Sequence, residues 1–259
     1  MPLLTIITIT YNAERYLERT LRSVQKALVR INDPGLVEYW IIDGASKDNT
    51  LALAHKYREV LSLRIQSEPD RGLYDAMNKG LEAATGKYLW FLNAGDEVHD
   101  EEVLQKLLAA LESKADVYYS DALFVRDDGS PVGLRSQVTP HTLPTRLSWR
   151  DMALGMKVSH QAFIPKRELA PRYDITNLSA DIEWEIMCLK KARTIQYLEL
   201  VLCRYLTGGL SVQRHRRSLL DRFTVLRRHF GLLPTLWNHV RISWRGMLFA
   251  RKRSRYWSP

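Results

Sequence analysis

Apolar and polar residues alternate in blocks along the first 115 residues. "LLTIITITYN" is a continuous run rich in β-branched residues, the signature of a strand buried on both faces of a parallel sheet. "AERYLERTLRSVQKAL" follows, with Tyr16-Leu17, Leu21, Val24 and Leu28 at helical spacing. The pair then recurs three times. "VEYWIIDGAS" precedes "KDNTLALAHKYREV", a helix with Asp48 or Asn49 as its expected cap. "LRIQSEP" precedes "GLYDAMNKGLEAAT", a helix expected to close at Gly86. "KYLWFLNAGD" precedes "DEEVLQKLLAALESK". Four βα repeats predict an open, mostly parallel α/β sheet with helices on both faces. Ligands of such sheets lie beyond the carboxyl ends of the strands. The polar groups there are Tyr11-Asn12, Asp43-Gly44, Glu68-Asp70-Arg71 and Asn93-Asp96.

After Lys114 the rhythm changes. "ADVYYSDALFV" and "PVGLRSQV" flank "RDDGS", which predicts a hairpin around Asp128-Gly129. "VSHQAFIPKREL" reads as a strand and a helix start, preceded by a strand-like "MKV". "SADIEWEIMCLKKA" reads as a helix beginning near Ser179 or Asp181. "TIQYLELVLCRYLTGGLS" reads as a strand and a Gly-Gly turn. From Gly209 onward the chain turns helical and basic, with Pro234 expected to kink it.

Composition adds three points. The net charge is +9 and concentrated toward the C-terminus: Arg recurs from Arg214 to Arg255, against a single acid, Asp221. Such a segment seeks an anionic partner. Interleaved with Leu, Phe and Trp, it reads as an amphipathic tail lying in a membrane interface. Nucleic-acid binding and a helical pair packed on the main domain are the other readings. Cys188 and Cys203 are too few for a disulfide framework and read as buried, reduced thiols. No run reaches the ~18 apolar residues of a membrane span, and no signal peptide is visible. The expected location is cytoplasmic, peripheral on the inner face of the membrane.

The motif content excludes several chemistries. G-x-G-x-x-G, G-x-x-x-x-G-K-[ST] and G-x-S-x-G are all absent. Arg71 precedes a helix, where its fork of donors suits a diphosphate; a solvated helix start is the alternative. Asp75 and Asn78 stand about one turn apart and share a face of that helix.

Six blocks then occur in order: "TIITITYNAERYLERTLRSV", "WIIDGASKDNT", "SEPDRGLYDAMNKGLEAATGKYLWFLNAGD", "HQAFI", "SADIEWEIMCLKKA" and "TGGLS". Together they resemble the family 2 glycosyltransferases of bacterial polysaccharide assembly, which have the GT-A fold, and most of all those of colanic-acid clusters. The resemblance spans residues 3 to 212. It implies a catalytic domain over 1–212, with a nucleotide-sugar-binding half (1–114) and an acceptor-binding half (115–212), followed by the basic tail (213–259).

The resemblance also implies roles. Thr10, Tyr11, Asn12 and Asp43 match positions that hold the base and ribose of a sugar donor, although Asn12 and Asp43 also suit turns and caps. Arg71, Asp75, Asn78 and Asn93 complete the expected donor site. The family usually carries Asp-x-Asp at the fourth strand end, where a divalent cation bridges the donor phosphates. Here Asn93 replaces the first acid and Gly95 the second, leaving Asp96 as the carboxylate for Mg²⁺ or Mn²⁺; helix capping is its other reading. His160 and Gln161 fall where the family reads its acceptor. Asp181 matches the general base of an inverting transfer, with Glu183 as the alternative. His215 would supply a late metal or phosphate contact. The expected partners are a nucleotide-sugar, a saccharide or lipid-linked saccharide acceptor, and the inner-membrane surface, with no nucleic acid. A sugar nucleotidyltransferase and a non-catalytic nucleic-acid-binding module are the rivals.

Overall fold

The computed structural model describes residues 1–208 and 215–252. Its first half is a four-stranded parallel sheet in the order β3-β2-β1-β4, formed by β1 (Leu4–Thr10), β2 (Val37–Asp43), β3 (Arg64–Ser67) and β4 (Tyr88–Phe91). Every residue of β1 and β4 is buried, as the unbroken apolar runs require. Helices α1 (Glu14–Leu28), α2 (Thr50–Lys56) and α3 (Leu73–Ala83) are the crossovers. The α1 stripe buries Leu17, Leu21 and Val24.

Two local expectations change. Helix α3 ends at Ala83, before Gly86. Gly86 is needed for closeness instead: a Cβ there would lie 2.8 Å from the backbone nitrogen of Thr5 in β1. Asp48, rather than Asn49, covers the start of α2, its Oδ1 accepting from the Thr50 backbone N–H (3.0 Å).

The second half is a mixed sheet. β5 (Glu97–Val98), a short strand absent from the sequence reading, pairs with β9 (Ile195–Leu206) ahead of α4 (Val103–Leu111). β9 runs parallel to β6 (Val117–Val125). β7 (Pro131–Leu134) and β8 (Phe163–Pro165) pair antiparallel with β6. The β6–β7 hairpin turns at Gly129, whose φ of +81° suits glycine. "MKV" is not a strand, and His160–Ala162 forms a 3₁₀ turn before β8.

Asp116 links the second-half elements. It pairs with Lys166 at the end of β8 (2.5 Å) and accepts from the Arg193 and Thr194 backbones before β9. Burial opposes its ionisation, but these donors win and hold its carboxyl down to about 2.

Helix α5 (Arg135–Val138) follows β7, and α6 (Ala180–Lys191) precedes β9. The basic segment forms α7 (His215–Phe230) and α8 (Leu232–Lys252). They break at Gly231, whose φ is +84°, and Pro234 sits in the first turn of α8, where a missing N–H is tolerated. α7 is not an appendage: Val225 and Leu226 are fully buried in the common core. Among the described residues no helix is long and apolar enough to cross a membrane. Cys188 and Cys203 are buried and unpaired. Gly209 to Ser211 of the Gly-Gly turn, and Arg214, Arg253, Arg255 and Trp257, lie outside the described residues, as does the His215 side chain.

Candidate active site

Register builds the donor edge. Thr10 pairs with Asp43, and Asp43 with Ser67, so three strand ends stand side by side. The buried Asp43 carboxylate is saturated by this row. Its Oδ1 accepts from Thr10 Oγ1 (2.8 Å) and Ser46 Oγ (2.5 Å), and its Oδ2 from the Ser46 N–H (2.9 Å) and Ser67 Oγ (2.8 Å). Four donors fill a carboxylate's usual capacity, so Asp43 holds the rim rather than offering free oxygens to a base or ribose.

Asn12 stands at φ +47°, a left-handed turn that Asn tolerates. Its Oδ1 accepts from the Lys47 N–H, and its own N–H donates to Ser46 Oγ, so it ties the first turn to the second. Tyr11 is exposed at the rim. Gly44 has a physical reason: a Cβ there would lie 2.3 Å from Asp70 Oδ2 and 3.3 Å from Tyr11 Cδ2. Asp70 therefore reaches over the second strand end beside an exposed aromatic ring. The sequence reading placed it at the edge but gave it no role.

The start of α3 is self-paired. Arg71 clasps Asp75 from its side chain (2.9 Å) and its backbone (3.0 Å). Asn78 is buried, its amide both donating to the Tyr173 carbonyl (3.0 Å) and accepting from the Tyr173 N–H (2.7 Å). Asn78 shares a helix with Asp75 but positions Tyr173 instead of facing a donor.

At the β4 end, Asn93 Oδ1 is buried without a hydrogen-bond partner. Gly95 has φ +101°, and a Cβ there would lie 2.7 Å from Leu206 Cδ2, so the approach of β9 disfavours a side chain where the family has its second acid. Asp96 is buried, its Oδ1 accepting from the Leu206 N–H (2.9 Å). Desolvation pushes its carboxyl up to about 7, against hydrogen bonds from the Leu206 and Asn93 backbones and the Gln161 side chain, and against the Arg19 charge. Among the described residues no group of three His, Cys, Asp or Glu side chains could hold a metal. The donor set is hard and sparse: one desolvated carboxylate and one orphaned amide oxygen. It fits a Mg²⁺ or Mn²⁺ ion that takes its remaining ligands from phosphate and water.

The acceptor-side expectation for His160 and Gln161 is corrected. His160 lies in an aromatic core with Phe91, Tyr173 and Trp184, its Nε2 hydrogen-bonded to Tyr173 Oη (2.8 Å). Burial pushes it down to about 3, so it is neutral. Gln161 accepts from Ser159 Oγ (2.9 Å), and its side chain helps hold down the Asp96 carboxyl. Both are buried because β8 starts there and enters the core.

Asp181 is half-buried in the first turn of α6, where its Oδ1 accepts from the Ile182 N–H (2.9 Å). Desolvation raises its pKa; the Ile182 N–H, the Arg222 charge and the Tyr74 hydroxyl oppose this. Tyr74, in α3, donates its hydroxyl to the Leu178 carbonyl (3.2 Å) and stacks on Tyr173, which stacks on Trp184. The helix start beside the donor edge thus adjoins the helix start bearing Asp181.

Helix α7 completes this wall. Asp221 accepts from the Leu178 N–H (2.8 Å), the Ser218 carbonyl accepts from Ser179 Oγ (3.0 Å), and Arg222 brings its charge to Asp181. Glu183 is paired with Arg228 (2.6 Å), which makes it a structural acid rather than an alternative base. Glu185, one turn after Asp181, is fully buried with both oxygens unpartnered, and burial pushes its carboxyl well up. Tyr74 and Arg222 gave no signal in the sequence beyond an amphipathic helix and a basic tail.

A parallel nucleotide-type edge beside a desolvated carboxylate at the start of a helix that leads into a second, mixed sheet is the arrangement of a GT-A glycosyltransferase. The Glycosyl transferase family 2 model matches residues 5–170, and the chain belongs to that family. It is similar to an uncharacterized glycosyltransferase of Mycobacterium tuberculosis, 29% identical over 99% of this chain and 95% of the relative. It is 31% identical to a Bacillus subtilis glycosyltransferase assigned by name to teichuronic acid biosynthesis, over 83% of each chain. Among solved structures, Staphylococcus aureus TarS 1-349 in complex with UDP-GlcNAc superposes with a TM-score of 0.69 at 21% identity, covering 88% of this chain and 65% of that one. Pyrobaculum calidifontis mannosyltransferase PcManGT, in complex with GDP-Man and Mn²⁺, gives 0.65 at 16% identity, covering 100% and 76%. These likenesses carry the fold.

Proposed function

We propose that this protein is an inverting glycosyltransferase that moves one sugar from a nucleoside-diphosphate-sugar to a saccharide acceptor, lipid-linked, in the assembly of a cell-surface polysaccharide. The observation that carries the reading is the junction at Tyr74: from the first turn of α3 beside the donor edge, its hydroxyl donates to the Leu178 carbonyl (3.2 Å) just ahead of α6 and acts on the Asp181 carboxyl at the start of that helix. The nucleoside lies against Tyr11 and Asp70 on the rim held by Thr10, Asn12 and Asp43. Arg71 exchanges part of its clasp on Asp75 for the diphosphate. The acceptor hydroxyl attacks the anomeric carbon on the face opposite the leaving group. Asp181 takes its proton, the new glycosidic bond forms, and the old C–O bond breaks with its electron pair going to the diphosphate. Asn93 Oδ1 and Asp96 would hold a divalent cation, which when bound would supply neutralising charge for the diphosphate. Asp181 suits its task because desolvation makes it a stronger base than an ordinary surface carboxylate.

The complexes of TarS with UDP-GlcNAc and of PcManGT with GDP-Man support a nucleotide-sugar as donor. The test is a thermal-shift panel of UDP-, GDP- and TDP-sugars with and without Mg²⁺ or Mn²⁺, followed by NMR of the product anomer. One donor should stabilise the protein, more so with the cation, and the product anomer should be inverted. A retained anomer removes the mechanism; full activity in EDTA removes the cation from it.

A further inference from the structure

Helix α8 presents an apolar face that nothing in the described structure covers. Leu233, Trp237, Val240, Trp244, Met247 and Leu248 recur at spacings of three and four and are 47% to 77% exposed. At 100° per residue they fall within an arc of about 100°, and they extend along about 22 Å of helix. The opposite face is already seated. Thr235 is buried, His239 meets the Phe223 ring of α7 edge-on, and Arg245 donates to the Leu154 carbonyl (2.9 Å). The stripe is therefore not a core face awaiting this domain. Exposed apolar surface of this extent marks an interaction site.

Charge selects the occupant. Between His215 and Lys252 the only acid is Asp221, and its carboxylate is turned inward to the Leu178 N–H. Arg241 is exposed at the edge of the stripe, and Arg227 is exposed on the neighbouring helix. A second copy would set cationic helices against each other, whereas an anionic lipid surface complements them. Two indoles on the stripe suit the headgroup boundary, where Trp concentrates. α8 is too polar to span a bilayer and has the pattern of a helix that lies in its surface.

We infer that the outer face of α8 is a membrane-docking surface that beds Trp237 and Trp244 into an anionic leaflet with arginines at the headgroups. The inference deepens the proposed function in one respect. Helix α7 joins α8 to the wall holding Asp181, so docking brings the base toward the layer in which a lipid-linked acceptor is anchored. That last clause rests on the glycosyl-transfer reading; the docking itself does not.

The test uses the full-length protein and vesicles of phosphatidylcholine with or without phosphatidylglycerol. The protein should co-sediment with the anionic vesicles, release as salt screens the attraction, and shift its indole emission to the blue. Trp237→Ser/Trp244→Ser should weaken vesicle binding roughly tenfold or more per indole. The variant should keep wild-type circular dichroism and the wild-type nucleotide-sugar thermal shift, so that a failure of docking and a failure of the donor reading are separable. Absence of vesicle binding at low salt overturns the inference. So does a wild-type dimer that the double variant converts to monomer without any lipid effect, which would make the stripe a self-association face. Salt-sensitive binding to polyuridylate with no preference for vesicles overturns it as well.

Discussion

Asp43 and Asp181 are both acids that family resemblance places in the site, and the structure treats them in opposite ways. Asp43 sits at the end of a buried strand between two others in register, and four protein donors fill its carboxylate. Asp181 sits in the first turn of a helix between two aromatic-rich walls. One backbone N–H donates to it, the Tyr74 hydroxyl and the Arg222 cation act on it from nearby, and burial raises its pKa. The first arrangement fixes geometry and leaves no lone pair for a proton in transit. The second keeps basicity and open acceptor capacity. Residue type and motif position do not separate a positioning acid from a reacting one; the count of donors around each does.

Three experiments press on that contrast, the largest effect first. Asp181→Asn is nearly isosteric and should lower turnover by ~100-fold or more, as removal of a general base does, with donor affinity unchanged by calorimetry. Near-normal turnover would dissolve the contrast from the Asp181 side. Asp43→Ala leaves three hydroxyls and the Ser46 N–H without their acceptor and should cost about 1–3 kcal/mol of stability in urea unfolding, with donor affinity reduced only as the rim loosens. A collapse of donor binding at unchanged stability would show that Asp43 touches the nucleotide directly.

Arg222→Met tests the electrostatic part and should have the smallest effect. Asp181 must be ionised to accept a proton, so kcat/KM rises with pH through its pKa. Desolvation already lifts that pKa, and Arg222 partly offsets it. Without the cation the acid limb of the profile should move to higher pH, leaving the rate well above it little changed. An unmoved limb would take α7 out of the catalytic site.

Legibility varied along the chain for physical reasons. The β1–β4 half was readable because strands buried on both faces need unbroken apolar runs, and their crossovers need a 3.6-residue period. β5 was missed because two residues show no period at all. The β6–β7 hairpin was readable from its Asp128-Gly129 turn, but the mixed pairing of β6 with β8 and β9 was not, because which strands meet is a long-range matter. His160 and Gln161 looked available because a polar pair before a strand resembles a loop; Trp184, Tyr173 and Phe91, supplied from three other segments, enclose His160. The two basic helices show how far composition reaches. Both mix Arg with large apolar residues, yet α7 buries Val225 and Leu226 against the body and α8 turns Trp237 and Trp244 outward.

The sequence by itself determined the family, the βα framework and the strand ends at which polar groups gather, because these follow from local periodicity and from motifs a few residues long. Only the tertiary structure decided which of those groups are free. Register places Thr10 and Ser67 on either side of Asp43 and fills it. The backbone at Gly95, with φ +101°, explains why a glycine replaces an acid. The packing of α7 on α6 brings Arg222 to Asp181 from 41 residues away in sequence. Hydrogen-bond saturation, desolvation and charge proximity depend on distances between residues remote in the chain, and no local pattern encodes those distances.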